Sequence, residues 1–335
     1  MKRKLPVLIL LPVAALLLFF TLEKEEFEFL GRALYYIIND YVEEVNPARV
    51  VENGIRGMVQ KEGYAFLQGS PGKFSRRAGL RLPGFQGIYA REAFVVKKVF
   101  PGSDAEKQGI KPGDLLVEVE GFPVRLSTHP DVIWRLYGPQ GTRVSLRFLR
   151  KFKIRDLKVV RDFPREDFRW EGNRLIIHRL FPKTVDRIGF SIGNRRRVLV
   201  DLTGFLDGDW RSALTLTALF PSDLDLDFKG EKEEKTVHLK GEFPGKVVVM
   251  ADETCVGACS MLVYALSLSG AQVLATAQPQ PPCPLSPLKF EEDNFFLLPL
   301  MGIFHRGKDA CQEKIKFTKV EEKNLLKEAL KRLES

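Results

Sequence analysis

The spacing of apolar and polar positions divides the chain into stretches of different character. Leu5 to Leu22 carry no charge, and the run is roughly the length that crosses a bilayer. Phe27, Leu30, Leu34, Ile37, Ile38 and Tyr41 then recur at three- and four-residue spacings, which is one face of a helix. Asn46-Pro47 breaks that helix, and Pro47 suits the first turn of another. QGSPGKFSRRAG reads as loop, after which the period changes. From Phe85 to Phe163 the runs are short. FVVKKVF predicts a strand ending at the turn PGSD, and DAEKQG one helical turn stopped by Gly109. KPGDLLVEVEG predicts a turn and a strand with Leu115, Val117 and Val119 on one face. HPDVIWRLYG reads as a short helix and RVSLRFLR alternates again, so this stretch predicts a small barrel with helices.

The remainder alternates strand and helix. RLIIHRL, RVLVDL, KVVVMA and AQVLATA read as strands. GDWRSALTLTALF, with Trp210, Leu214 and Ala218 on one face, and CSMLVYALSLSG read as helices. Such alternation predicts crossover units on a mostly parallel sheet. VEEKNLLKEALKRLES closes the pattern as an amphipathic helix.

Composition narrows the picture. The chain has 335 residues, 44% hydrophobic and 28% charged, enough for a helical lead-in and two compact domains. The net charge of +9 comes partly from MKRK and from clusters at Arg147–Lys153 and Arg195–Arg197, which read as solvated basic faces. No basic motif with interleaved aromatics marks a nucleic-acid groove, so nucleic acid is not an expected partner. Lys2, Arg3 and Lys4 precede the uncharged run, and TLEKEE follows it without a small-x-small cleavage site. This predicts an uncleaved signal anchor over residues 1–22 with its basic flank inside. The bulk of the chain then lies in the periplasm or outside the cell. Cys255, Cys259, Cys283 and Cys311 fit an oxidising compartment, and their pairing stays open among three possibilities. CVGAC is not the CxxC of a redox or zinc site, and no metal or cofactor is expected.

VFPGSDAEKQGIKPGDLLVEVEGFPV resembles a PDZ domain of the bacterial protease type. The resemblance implies binding of extended C-terminal peptides by strand addition, with backbone N–H groups capturing the carboxylate. It puts the carboxylate loop at Phe85, Gln86, Gly87 and Ile88; Tyr89 stands where that family usually has Gly.

The order of the pieces resembles the C-terminal processing peptidases, or tail-specific proteases. NDYVEEVNPARVVENGIRGMV is similar to their N-terminal helical segment, VLVDLTGFLDGDWRSALTLTALF to their strand, loop and following helix, and KVVVMADETCVGACSMLVYALSLSGAQVLATA to their nucleophile elbow. The implied fold is a ClpP/crotonase-like α/β core over residues 164–335, with a PDZ domain over 80–163 and a helical segment over 23–66. The implied chemistry is a Ser nucleophile activated by a neutral Lys, with main-chain N–H groups holding the oxyanion.

Aligned this way, the nucleophile position falls on Gly257, the Lys position near Pro282, and the supporting polar residue on Ser286. No Lys occurs between Lys246 and Lys289. Gly208 is the matching glycine of the oxyanion loop. Cys259 or Ser260 as nucleophile, Lys289 as base, and His305 or His238 beside Cys259 are the rescues that remain. Because the nucleophile and Lys positions touch in that family, the resemblance also implies a disulfide from Cys255 or Cys259 to Cys283, with Cys311 pairing the remaining cysteine. The function expected is a membrane-anchored, non-catalytic protein that binds peptides or protein C-termini. The alternative is an active serine-type endopeptidase with a rearranged site. Dimerisation through the N-terminal helices, or support of an active relative, is compatible with the first.

Overall fold

Alternating residues close the segment after Gly84 into a barrel. Its strands are β1 (Phe85–Ala90), β2 (Ala93–Val99), β3 (Leu115–Val119), β4 (Arg143–Arg150) and β5 (Lys153–Val160), antiparallel in that spatial order. Helices α1 (Asp104–Lys107) and α2 (His129–Leu136) complete it. The Ser103 hydroxyl caps α1 by accepting from the Glu106 N–H. Val144, Leu146 and Phe148 of β4 point inward at every second position. Phe85 and Phe148 meet edge to face at 5.9 Å. This computed structural model describes residues 65–335, apart from 69–70, 91–92, 231–233, 242, 244, 292–293 and 299–300, together with Gly54 and Gly57. The anchor expected over 1–22 lies outside the described residues, as does nearly all of the helical segment expected over 23–66. At the end of the latter, Ala65–Gln68 is a strand and not a helix, because its backbone pairs antiparallel with Asn294–Leu298.

The second half is a layered α/β core. In chain order it contains β6 (Phe168–Glu171), β7 (Arg174–Ile177), β8 (Arg179–Leu180), α3 (Pro182–Ile192), β9 (Arg197–Asp201) and β10 (Asp207–Gly208). Helix α4 (Trp210–Thr217), β11 (Ser222–Gly230), β12 (Glu234–Gly241), β13 (Lys246–Ala251), α5 (Ala258–Leu268), β14 (Gln272–Ala275) and α6 (Glu322–Glu334) follow. The main sheet runs Thr318–Lys319, β14, β13, β9, β7, β6. It is parallel until the antiparallel edge strand β6. Both faces are covered, which is why β9 and β13 are continuous apolar runs. Val198, Val200, Val247 and Val249 face the layer containing α3, α4 and α5. Leu199, Val248, Met250 and Leu274 face Leu325, Ala329 and Leu333 of α6.

Strand–helix alternation alone does not separate a second sheet, the hairpin β11–β12 with Met301–His305 and Lys308–Asp309. Its signal was present in DLDLDF: Leu224, Leu226 and Phe228 are buried while Asp223 and Asp225 face solvent. The sheet's dependence on α6 is testable. Leu325→Ala removes a buried side chain from that face. It should cost about 2–5 kcal/mol, read as a lower denaturant midpoint with an unchanged slope.

Candidate functional site

The carboxyl ends of neighbouring parallel strands are where an α/β sheet gathers its loops. Here the loops after β9 and β13 meet. After Ala251 the chain turns on Asp252, whose Oδ1 accepts from the Thr254 N–H at 2.9 Å and from the Thr254 hydroxyl. Burial raises the Asp252 pKa. The turn ends at Gly257, which caps α5 with φ +60° and ψ −119°. That is a sharp strand-to-helix elbow in a conformation which side-chain-bearing residues adopt only under strain. A Cβ placed on Gly257 would have no atom within 4 Å, so the position is exposed and open.

The loop after β9 lies against this elbow. A Cβ on Gly208 would stand 3.1 Å from the Ala258 Cβ and 2.8 Å from the Leu180 carbonyl oxygen. Only glycine brings this backbone so close to the first turn of α5, whose N–H groups have no intrahelical partner. The Gly208 carbonyl accepts from Arg77 Nη2 at 2.7 Å. Arg77 also binds Asp207 through Nε at 2.5 Å, and the Tyr137 hydroxyl donates to the same carboxylate at 2.7 Å. Burial opposes charge on Arg77, yet Asp207 raises its pKa above the ordinary value. Arg77 lies in RRAG, where the sequence predicts loop and the chain forms one 3-10 turn over Arg77–Gly79. Nothing local marked it, because its partner is distant in the chain.

The barrel sits directly on these loops. Phe85–Ile88, expected to hold the carboxylate, lie in the edge strand β1, paired on one side with β2. Gln86 is 5% exposed. Its Nε2 donates to the Phe205 carbonyl at 2.5 Å and to the Thr254 hydroxyl. Its Oε1 is buried without a partner among the described residues. Lys98 donates to the Thr203 carbonyl at 2.9 Å, and Lys97 pairs with Glu253 at 2.8 Å. Between β1 and α2, where a PDZ domain takes its peptide, the wall is completed by Phe205, Leu206, Thr254 and Val256. Leu206 packs on the barrel core. About 20 Å³ remains open, room for one water molecule.

Comparison with known proteins agrees with this arrangement. Residues 95–150 match the family model of the PDZ domain. The chain is 26% identical over 266 residues to the carboxy-terminal processing protease CtpA of Bacillus subtilis, covering 72% of this chain and 57% of that protein. It is 28% identical over 137 residues to a probable CtpA-like serine protease of Staphylococcus aureus, covering 38% of this chain and 27% of that protein. It therefore spans only part of the length of the curated relatives it matches. The solved structure of a photosystem II D1 C-terminal processing protease superposes with a TM-score of 0.59 at 14% identity, covering 90% of this chain and 89% of that one. The chain thus carries a PDZ domain and is similar in sequence and fold to the C-terminal processing proteases.

Against the family pattern, the rescue candidates are dispersed. Ser260 is fully buried and its hydroxyl donates to the Cys255 carbonyl at 3.0 Å, a helix-start back-bond. Cys259 is joined to Cys255. The backbone of Lys289 lies in the strand Ser286–Glu291 opposite Phe295, and its side chain is outside the described residues. His238 binds Asp225 Oδ1 at 2.7 Å and His305 binds the Asp225 carbonyl at 3.0 Å, both on the second sheet.

The expected disulfide between the elbow and Cys283 does not form. Cys255 and Cys259 pair with each other across Gly257, their Cα atoms 5.2 Å apart, and Cys283 pairs with Cys311. The reason is local: a helix start returns the chain beside the residue four positions earlier, so each elbow cysteine has its partner within one turn. Peptide mapping of the non-reduced protein should recover a Cys255–Cys259 linkage and a Cys283–Cys311 linkage. A peptide joining Cys283 to the elbow would contradict the pairing.

Two buried histidines give the fold a pH signature. Desolvation pushes His129, stacked on Phe94, down to about 4, and lowers His178 as well. A histidine with a depressed folded pKa contributes stability that is full above its unfolded value of 6.5 and is lost as pH falls toward 4. Asp252, raised by burial, acts with the opposite sign. The melting temperature of His129→Gln should therefore fall less than that of the wild type between pH 7 and pH 4.5.

Proposed function

We propose that this chain is a non-cleaving relative of the tail-specific proteases, held in the cytoplasmic membrane with its bulk outside, that binds peptides or protein C-termini through its PDZ domain. The observation that carries this reading is Gly257. The elbow keeps the backbone of a nucleophile position, φ +60° and ψ −119°, but the residue there has no side chain. Serine-type acyl transfer needs an oxygen at that apex and a neutral amine to take its proton. Nothing between Lys246 and Lys289 supplies an amine. The Cys255–Cys259 bond fixes the turn on both sides of the empty position. Lys97 reaches the elbow only as the partner of Glu253.

Peptide binding is supported by the free edge of β1 and the apolar groove between β1 and α2. In this state Phe205, Leu206, Thr254 and Val256 narrow the groove, so a peptide must displace part of this wall, which weakens the apparent affinity by the fraction of open molecules. The uncharged run Leu5–Leu22 behind Lys2, Arg3 and Lys4 supports the membrane attachment.

The test uses the full chain in detergent, with casein as substrate, under oxidising and reducing conditions. No cleavage is expected from the wild type, or from Gly257→Ser, which restores the hydroxyl without an amine. Cleavage by the wild type that a Ser260→Ala, Cys259→Ala double variant lacks would establish the rearranged endopeptidase instead. In parallel, an apolar C-terminal peptide should bind at least several-fold more tightly to Leu206→Ser than to the wild type.

A further inference from the structure

The hairpin joining β4 to β5 is built against the usual rules for such turns. Arg150 pairs with Lys153, leaving a two-residue turn of Lys151 and Phe152. Both have positive φ, +46° and +62°. Two-residue hairpins of this hand favour Asn-Gly, because side chains at both central positions crowd the backbone. Here the turn carries a lysine and a phenylalanine, and the phenyl ring is 98% exposed. Ile154, two residues on, is 66% exposed. A strained turn that presents a large apolar side chain to water lowers stability twice over, which fold stability alone does not explain.

The charge around the tip has one sign. From Arg147 to Lys158 the sequence is RFLRKFKIRDLK, with six cations and one acid, and no acidic residue occurs between Asp131 and Asp156. The nearby carboxylates are occupied: Arg147 holds Asp156 at 2.8 Å and Glu118 at 2.8 Å, and Arg150 holds Asp114. Lys151 and Lys153 are exposed, and neither pairs with a carboxylate among the described residues. The basic cluster thus ends in an aromatic tip flanked by two exposed lysines that no carboxylate pairs among the described residues. An aromatic ring seats at the acyl boundary of a bilayer while lysines reach the phosphates of anionic headgroups. A convex tip suits such a surface better than a protein pocket, which would have to supply a matching cavity and acids together.

We propose that the Arg150–Arg155 hairpin is a membrane-docking tip that inserts Phe152 into anionic phospholipid, separate from the N-terminal run. The proposal does not depend on whether the elbow is catalytic.

The test places a reporter at the tip of the full chain. Phe152→Trp protein is reconstituted with vesicles of phosphatidylglycerol and phosphatidylcholine in equal parts, the phosphatidylcholine carrying brominated acyl chains. Its fluorescence is compared with that of wild-type protein, which supplies the background of the native tryptophans. Quenching of the added signal by at least two-fold is expected, with little in pure brominated phosphatidylcholine. Lys151→Glu, Lys153→Glu in the Phe152→Trp background should abolish the difference. A protein held in the vesicle only by its N-terminal run would show equal quenching in the two lipids, or none in either, and each of these results overturns the proposal. Lys151→Asn, Phe152→Gly separates docking from folding. It installs the favoured turn, so its melting temperature should hold or rise by a few degrees. Its hairpin amides should lose the hydrogen-exchange protection that phosphatidylglycerol vesicles give the wild type. Equal protection in wild type and variant would also overturn the proposal.

Discussion

The half-buried carboxylate of Asp207 holds the functional end of the molecule together. It accepts from Arg77, which comes from the segment before the barrel, and from Tyr137 at the end of the barrel helix α2. It lies next to Gly208, whose carbonyl Arg77 also holds. Barrel, preceding segment and core loop therefore share one charge. The net stability from such a pair is small, since desolvation offsets the attraction. Its effect is to specify: the loop after β9 has one place in which the guanidinium, the phenol and the carboxylate are all satisfied.

That placement gives the elbow its neighbours. Gly208 contacts the start of α5, and Phe205 and Leu206 rise from the same loop to meet Gln86 and the barrel core. The elbow combines a sharp turn, a glycine-tight loop and a helix start. Gly257 carries the strained torsions without the steric cost they impose on other residues, and the Cys255–Cys259 disulfide spans the turn.

The barrel shows two opposite uses of exposed surface. At β1 it presents an edge strand and apolar groove that the core loops narrow with Phe205, Leu206, Thr254 and Val256. At the β4–β5 turn it leaves Phe152 uncovered and removes every nearby negative charge into ion pairs. Covering one apolar feature while displaying another is a choice made at the level of packing, since both are equally apolar in the sequence.

Much was legible in the order of residues. Alternation in RVSLRFLR and unbroken apolar runs in KVVVMA and RVLVDL fixed the strand types, because a half-buried strand must alternate and a fully buried parallel one need not. The PDZ-like run and the elbow motif carried the resemblance to the C-terminal processing proteases, and the absence of a side chain at Gly257 was readable directly. Tertiary structure alone decided the rest. The cysteine pairing followed from which Cα atoms the helix start brings together, not from which positions touch in relatives. Arg77, Tyr137 and Asp207 became a unit only because folding joins residues whose local sequences are unremarkable. The sheet β11–β12 was hidden for a similar reason: its alternation was present, but its partner strand Met301–His305 lies far along the chain. Periodicity reports what each segment must bury. Which segments bury it against one another depends on long-range packing, and that is not written in any single window of sequence.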